Sequence, residues 1–170
     1  KGLLISALRD PNPVIYIEHR WLHPLIGHVP PESYEVALDK AEVIREGGDV
    51  TIAALSHMVI EAIKVSEEMV KWGVGVEVIN LKCVSSIDID TVLASVGKTG
   101  RLIVAEPGHL AMGVSAEVIA QTVDKGYDLL VTAPERIACP AYPVTSAPSS
   151  AADYYPDAEY LAQAVIRQIG

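Results

Sequence analysis

The sequence predicts an α/β fold, a three-layer α/β/α sandwich around a mostly parallel sheet with one antiparallel edge strand. From residue 41 onward, short apolar stretches alternate with longer stretches whose apolar residues recur every three or four positions, which is the order of strands and helices in parallel α/β domains. The stretch "VTIAAL" is almost wholly apolar, as expected for a strand buried on both faces. The stretch "AEVIRE" precedes a Gly-Gly turn, which predicts an antiparallel edge strand joined to its neighbour by a tight turn.

The first 40 residues are predicted to lie outside this sandwich. An initial helix is indicated by four apolar residues on one face, Leu3, Leu4, Ala7 and Leu8. The stretch "PNPVIYIE" then has the pattern of a strand, so residues 1–18 are predicted to be the end of an upstream domain. Residues 19–40 contain three prolines and no sustained period, which predicts a linker, and residues 41–170 are predicted to be one domain.

The elements of that domain follow in order after the first two strands. Ser56 is predicted to cap a helix that runs to Trp72, and Gly73 is predicted to end it. The remaining predicted elements are the strand "VEVINL", a helix capped by Asp88 and closed by Gly97 and Gly100, the strand "RLIVAE", a helix over about Met112–Asp124, the strand "ERIAC" and a last helix from Asp157 to Ile169.

Composition excludes several classes of function. The formal net charge of −9 and the lack of a Lys/Arg cluster argue against a nucleic-acid partner. No apolar run approaches the roughly 20 residues that span a bilayer, so no membrane partner is predicted. Neither end shows a signal peptide or lipidation motif, and the cytoplasm is therefore the expected compartment. Cys83 and Cys139 are predicted to be buried free thiols rather than a disulfide.

Three of the five histidines, His19, His23 and His28, lie within the stretch "EHRWLHPLIGH". A pair of histidines four residues apart can hold a metal when a helix places both on one face. Here the pair follows a predicted strand and Pro24 follows His23 directly, so a helix is not expected. No cysteine or carboxylate cluster nearby offers further ligands. We therefore predict packing and hydrogen-bonding roles for these histidines and no shared metal.

A candidate pocket lies where the parallel strands are predicted to end. Ligands of such sheets sit beyond the carboxyl ends of the strands, and His57, Glu106 and His109 follow strands there. A Glu–His pair could serve acid–base chemistry. The alternative is that Ser56 caps a helix and His109 lines an ordinary turn, which the lack of an accompanying nucleophile favours. The nearby stretch "GHLAMG" matches neither a dinucleotide fingerprint nor a P-loop.

Several blocks of the sequence together resemble one family. The blocks are "LLISALRDPNPVIYIEHRWL", "VPPESYEVALDKAEVIREGGDVTIAAL", "GVEVINL", "KTGRLIVAEPG" and "SAEVIA". They are similar to the β subunits of thiamine-diphosphate-dependent 2-oxoacid dehydrogenases, the decarboxylating components of the pyruvate and branched-chain complexes. The resemblance implies that residues 1–18 end a pyrimidine-binding domain and that residues 41–170 are the transketolase-type carboxyl-terminal domain. Glu18–His28 would then be the crossover between the two domains.

The resemblance implies a function in oxidative decarboxylation of pyruvate or a related 2-oxo acid. The part of the subunit in these residues would serve assembly, dimerisation and docking. The implied partners are the α subunit, a second β subunit and the dihydrolipoyl acyltransferase. The family's catalytic positions have no counterpart here, so no catalytic or cofactor-binding residue is carried over. Thiamine diphosphate and magnesium belong to the intact enzyme, and this chain alone is predicted to be inactive and not to bind them.

One metal site is implied by the resemblance. Branched-chain members hold a structural potassium ion at the stretch that matches "ALRDPN", which places a partial set of ligands on Ala7, Asp10 and Asn12.

Two departures from the family pattern are present. Ala111–Gly113 replaces the Thr-Gly-Gly found in many relatives. The stretch "EHRWLH" is not the commonest version of this segment, so the chain could instead belong to a stand-alone 2-oxoacid-processing enzyme outside the large complexes.

Two other classes of function remain open from the residues alone. The domain could be an independent interaction module, or it could bind a small molecule near His57 and His109.

Self-association of the chain about a two-fold axis needs only one apolar patch. The predicted sources are Met112 and Val114 at the start of a helix, and the tyrosines of "YPVTSAPSSAADYYP", namely Tyr142, Tyr154 and Tyr155. The alternative is that these tyrosines pack the last helix, Tyr160–Ile169, onto the sheet.

Overall fold

The computed structural model describes residues 1–144, 146–147, 151 and 153–170. Its centre is a five-stranded sheet with the strand order β1-β3-β2-β4-β5. The strands are β1 (Glu42–Arg45), β2 (Val50–Ala54), β3 (Val76–Asn80), β4 (Leu102–His109) and β5 (Glu135–Cys139). All neighbouring strands are parallel except β1, which is antiparallel to β3. The mostly parallel sheet with an antiparallel edge is therefore confirmed.

Helices cover both faces of the sheet and complete three layers. The helices are α1 (Gly2–Arg9), α2 (Met58–Met69), α3 (Ile89–Thr99), α4 (Val114–Gly126) and α5 (Ala158–Ile169), with 3₁₀ turns at Arg20–Leu22, Val70–Trp72 and Tyr127–Leu129. One core cluster joins α2 and α5 to the sheet, and a second joins α3 and α4 to its other face. All five residues of β2 are buried, as its continuous apolar sequence predicts for a central parallel strand.

The edge strand β1 pairs with a different neighbour from the one that its turn predicts. It lies beside β3 and not beside β2, which follows it in sequence. Gly47 explains the path, because a Cβ atom there would overlap the backbone of Val76 and Glu77. The Gly-Gly segment thus passes closely over the start of β3 instead of forming a hairpin. The Asp49 carboxylate fixes the passage by accepting a hydrogen bond from the Gly75 N–H at 2.7 Å.

The ends of the helices confirm most of the predicted caps. Asp88 caps α3 by accepting a hydrogen bond from the Thr91 N–H, and Gly73 and Gly100 end helical segments in the left-handed conformation. Gly97 lies inside α3 rather than at its end. Ser56 does not cap α2: its φ is +56°, and the N-cap residue is His57, which makes no capping hydrogen bond. The sharp turn at Ser56 brings the His57 ring to the end of β2.

The first 18 residues differ from the sequence prediction in two respects. The buried residues of α1 are Gly2 and Ser6, whereas Leu8 on the predicted apolar face is 78% exposed. The stretch "PNPVIYIE" forms no strand, because no other described segment pairs with it. Ile15 and Ile17 are 88% and 84% exposed. An apolar segment with strand-forming residues is thus presented to the solvent.

Three further predictions concern thiols, membranes and the last segment. Cys83 and Cys139 are free, with Cys139 buried and Cys83 half-buried. Among the described residues, no helix is both long and apolar enough to cross a membrane. The Pro/Ser/Ala-rich stretch, residues 139–156, lies partly outside the described residues, and the last helix begins after Asp157 as predicted.

Candidate functional site

A cluster of aromatic and imidazole rings lies at the carboxyl edge of the sheet. His57 follows the end of β2, and its ring stacks on His19 with centroids 4.4 Å apart and an interplanar angle of 29°. The Trp21 ring meets His57 edge-on at 4.9 Å. His19 also holds the local turn, because its Nδ1 accepts a hydrogen bond from the Trp21 N–H at 3.3 Å. The segment Glu18–His28 is thus attached to residues 41–170 through aromatic contacts.

The same cluster continues to the end of β4. Trp21 contacts Tyr155 at 5.0 Å, and Tyr155 contacts Tyr154 at 4.9 Å. The Tyr154 hydroxyl is 2.9 Å from His109 Nε2, and Tyr142 packs edge-on against Tyr154 at 5.6 Å. Two of the predicted pocket residues, His57 and His109, are therefore connected through a continuous row of rings. Sequence reasoning missed Trp21 as the central ring, although its place beside His19 was the available signal.

The imidazole of His57 is deeply buried. The residue is 5% exposed, and its Nδ1 atom has no hydrogen-bond partner in the part of the chain that the structure describes. Burial lowers the pKa of His57 below its ordinary value, and the neighbouring His19 lowers it further, while Glu61 acts in the opposite direction and Lys64 adds to the lowering. Burial disfavours the charged form of a histidine. His57 is therefore neutral at physiological pH.

The third predicted pocket residue, Glu106, makes its hydrogen bonds to the start of a helix and, among the described residues, none to the histidines. Its carboxylate accepts hydrogen bonds from the Val114 N–H at 3.0 Å and the Ser115 N–H at 2.8 Å. These are the first two residues of α4, whose N–H groups have no partner within the helix. Glu106 therefore caps α4 on the face of the sheet opposite α2. The same contacts occupy the N–H groups that an anion bound at "GHLAMG" would need.

An open groove of about 480 Å³ lies beside the ring cluster. It is lined by Trp21, His57, Glu61, Ala151, Tyr155, Pro156 and Asp157. Its carboxylates already have partners: Glu61 accepts hydrogen bonds from the Ala158 N–H and Lys64, and Asp157 accepts one from the Tyr160 N–H. Its described lining residues offer aromatic walls and no serine, cysteine or lysine nucleophile. Its residues hold the ends of α2 and α5 together rather than forming an acid–base pair.

The opening histidines and the implied potassium ligands occupy separate places. His23 Nε2 is 3.5 Å from the Glu18 carboxylate, whereas His19 belongs to the ring cluster. Across residues 1–144, 146–147, 151 and 153–170, no group of three or more His, Cys, Asp or Glu side chains is arranged to hold a metal ion. Near the end of α1, Asp10 Oδ1 accepts hydrogen bonds from both the backbone and side-chain N–H groups of Asn12. Carboxylate and carbonyl oxygens suit a hard cation, and the potassium site on Ala7, Asp10 and Asn12 stays a prediction.

The predicted association residues also separate in the structure. Met112 is fully exposed and Tyr142 is half-exposed, but Tyr154 is only 6% exposed because it packs inside the ring cluster. Val114 and Tyr155 are half-buried. Met112 and Tyr142 therefore lie at the surface, and Tyr154 is buried against other rings. The association itself stays a prediction.

The fold and the site together define a transketolase-type α/β domain whose carboxyl edge is covered by aromatic side chains. The family model for the transketolase C-terminal domain matches residues 39–161. The chain belongs to this family.

Comparison with known proteins places the chain among β subunits. It is 42% identical over 152 residues to the pyruvate dehydrogenase E1 component subunit beta of Bacillus subtilis (strain 168), which covers 88% of this chain and 47% of that relative. It is 35% identical over 164 residues to the acetoin:2,6-dichlorophenolindophenol oxidoreductase subunit beta of Cupriavidus necator, covering 96% of this chain and 48% of that relative. The chain thus spans about half the length of the curated relatives it matches. The resemblance to β subunits of this enzyme class is confirmed.

A solved structure supports the fold independently. A split gene transketolase in an inactive beta4 tetramer matches with a TM-score of 0.70 and 23% identity, covering 79% of this chain and 44% of that one. At this identity the likeness concerns the fold alone.

Proposed function

We propose that this chain supplies the carboxyl-terminal domain of the β subunit of a thiamine-diphosphate-dependent 2-oxoacid dehydrogenase, and that its task is assembly rather than chemistry. The observation that carries the proposal is that the polar side chains at the carboxyl edge of the sheet make structural contacts within the domain. Glu106 caps α4 and His109 is bonded to Tyr154. His57 lies beneath the rings of His19 and Trp21. Each of these side chains thus has a structural contact within the domain.

The division of labour in the intact enzyme follows from the same proposal. Residues 1–18 end the pyrimidine-binding domain, Glu18–His28 form the crossover, and residues 41–170 form the transketolase-type domain. The exposed, unpaired segment around Ile15 and Ile17 supports this, because it has the composition of a strand and lacks a partner strand among the described residues. Thiamine diphosphate, magnesium and the residues that use them belong to the remainder of the enzyme, which acts in the cytoplasm.

The surface for pairing with a second β subunit is proposed to lie at the carboxyl edge. Leu110 and Met112 follow β4, and Tyr142 and Val144 follow β5, which is its neighbour in the sheet. All four side chains are exposed. Exposed apolar side chains grouped in this way mark protein–protein contacts. The α subunit and the dihydrolipoyl acyltransferase are the further partners in this proposal.

Sedimentation of the chain at micromolar concentration tests the pairing surface. We expect a dimer, and a stable two-fold contact of this kind buries more than about 1,000 Å² in total. The double variant Met112→Glu/Tyr142→Glu should sediment as a monomer, since it places charges on both sides of the two-fold contact. The matched control is Trp72→Ser. It removes an exposed ring that precedes β3 and so lies at the amino ends of the parallel strands, away from the proposed surface. A monomeric parent chain, or a double variant that still dimerises, would contradict the proposed surface.

A second candidate differs only in the substrate. The Cupriavidus necator relative, which is matched over 96% of this chain, is named for acetoin rather than for a 2-oxo acid. We propose acetoin as the alternative substrate of the enzyme that carries this domain. Turnover of pyruvate and of acetoin by the assembled α and β subunits, with 2,6-dichlorophenolindophenol as electron acceptor, distinguishes the two.

A further inference from the structure

The crossover Glu18–His28 is attached to the domain by a small set of rings. His19 and Trp21 contact His57 at the end of β2, and Trp21 also contacts Tyr155 before α5. Beyond these rings, Leu25 and Ile26 are exposed. The pair Glu18–His23 lies within the crossover itself and does not reach the domain. The attachment therefore depends on the state of the His19–His57 stack.

That stack places the His57 ring 4.4 Å from a second imidazole. Two neutral imidazoles pack favourably face to face, whereas a positive charge on His57 is opposed by the neighbouring His19. A charge on His57 is further opposed by burial, because its Nδ1 has no described partner that could receive a proton's hydrogen bond. Opening the stack would let water solvate both rings.

The other charged groups around His57 do not reverse this preference. From α2, Glu61 favours the protonated ring and Lys64 opposes it, and these two side chains are hydrogen-bonded to each other at 2.7 Å. From the segment before α5, Tyr155 and Asp157 line the adjoining groove, and Asp157 is occupied in capping α5. From the crossover, His19 faces the ring directly. Burial and His19 are therefore the largest influences on the pKa of His57, and both lower it.

We propose that His19, Trp21 and His57 form a pH-sensitive clasp that holds the crossover on the domain when the His57 imidazole is neutral and releases it when His57 is protonated. The proposal concerns a conformational switch and does not depend on the enzyme's substrate. Release would free the crossover, and the residues that precede it, to change orientation relative to residues 41–170.

The direction of the pH dependence follows from the burial of His57. In the open state the pKa of His57 has the ordinary value of about 6.5, and in the closed state it is lowered, first by burial and then by His19. The closed state therefore has its full stability above about pH 6.5. It loses stability as the pH falls below that value toward the lowered pKa.

Fluorescence quenching of Trp21 tests the clasp. The sequence has two tryptophans, so the Trp72→Phe chain reports on Trp21 alone. The acrylamide quenching constant, corrected for fluorescence lifetime, should rise between pH 8 and pH 5 with a midpoint below about 6.5. Because Trp21 is already 52% exposed, the rise should be no more than about two-fold. Far-ultraviolet circular dichroism should stay constant, since the domain itself remains folded.

Three variants in the same background decide the assignment. His57→Gln should abolish the rise, and His19→Gln should make the rise smaller and move it to lower pH, because the closed state then lacks the neighbouring imidazole that opposes a charge on His57. His28→Gln is the matched control, since His28 is an exposed histidine of the same crossover, and it should leave the profile unchanged. The His19→Gln and His28→Gln results stand even where His57→Gln fails to fold. An unchanged profile in His19→Gln, or no rise in the parent chain, would overturn the proposal.

Discussion

At the scale of single residues, the position of Glu106 suggests acid–base chemistry, whereas its hydrogen bonds show that it caps a helix. It lies near the carboxyl end of β4, where ligands of parallel sheets bind. Strand alternation directs its carboxylate to the α4 side, where it accepts hydrogen bonds from two backbone N–H groups that have no partner within the helix. The sequence places the residue at the edge correctly, but it contains no signal for which helix start the carboxylate meets.

Replacement of Glu106 by Gln should destabilise the domain. The amide N–H₂ group would face the Val114 and Ser115 N–H donors and leave at least one of them unpaired in a buried place, which costs about 1–3 kcal/mol in the free energy of unfolding. Urea unfolding monitored by circular dichroism measures the change. The control is Glu159→Gln in the exposed first turn of α5, which should stay near the parent. Parent-like stability of Glu106→Gln would show that the capping bonds contribute little.

A pair of glycines gives a matched test of local packing. A Cβ atom at Gly113 would overlap the Glu106 carboxylate and the His109 carbonyl, whereas a Cβ atom at Gly97 would meet nothing within 4 Å. Gly113→Ala should therefore lower the free energy of unfolding by about 1–3 kcal/mol. Gly97→Ala should raise it by about 0.5–1 kcal/mol, because Gly97 lies inside α3 at an exposed position. Equal effects of the two changes, again measured in urea, would contradict the described turn.

At the scale of elements, the order of strands and helices was predictable and the pairing of the edge strand was not. The buried strands and the ends of α3 and α5 carry local signals, namely continuous apolar residues, Asp88, Asp157 and Gly100. The pairing of β1 with β3 depends on how closely Gly47 passes over the start of β3. This is a tertiary contact that no local pattern encodes. The same holds for "PNPVIYIE", whose strand-like composition is not enough without a partner strand.

Asp88 connects two elements, and its titration should be visible in the stability of the domain. Its carboxylate caps α3 through Thr91 and also accepts a hydrogen bond from the Ala41 N–H before β1. Burial alone would raise the pKa of Asp88, but the hydrogen bonds from Thr91 and Ala41 outweigh it and lower the pKa below its ordinary value. The stabilisation by Asp88 is therefore present above about pH 3.9, the unfolded value. It is lost as the pH falls through the lowered pKa of the folded state.

The variant Asp88→Asn should thus be less stable than the parent by about 1–2 kcal/mol at pH 7. It should also lose less stability than the parent between pH 5 and pH 2. Urea unfolding across this pH range measures both effects. Asp90→Asn, in the exposed first turn of the same helix, is the control and should keep the parent's pH dependence. An identical pH dependence in Asp88→Asn and the parent would contradict the role given to the cap.

At the scale of the whole molecule, the structure explains why the candidate site was only partly predictable. His57 and His109 do lie at one edge, as the parallel topology requires, but Trp21, Tyr154 and Tyr155 separate them. Trp21 comes from the segment Glu18–His28, and the two tyrosines come from the segment before α5. Contacts between segments so distant in sequence depend on the folded path of the chain. They fill the space between the two histidines with aromatic rings and attach the segment Glu18–His28 to the edge of the sheet.

The central claim is that this domain contributes assembly while thiamine-diphosphate chemistry belongs to the rest of the enzyme. Isothermal titration calorimetry of the 170-residue chain with thiamine diphosphate and magnesium tests it most directly. The sequence contains no diphosphate-and-magnesium motif, and the described residues contain no metal-holding cluster of acidic or histidine side chains. We expect no binding heat up to about millimolar cofactor, since affinities weaker than this correspond to less than about 4 kcal/mol. Saturable binding at micromolar cofactor, with one site per chain, would contradict the account.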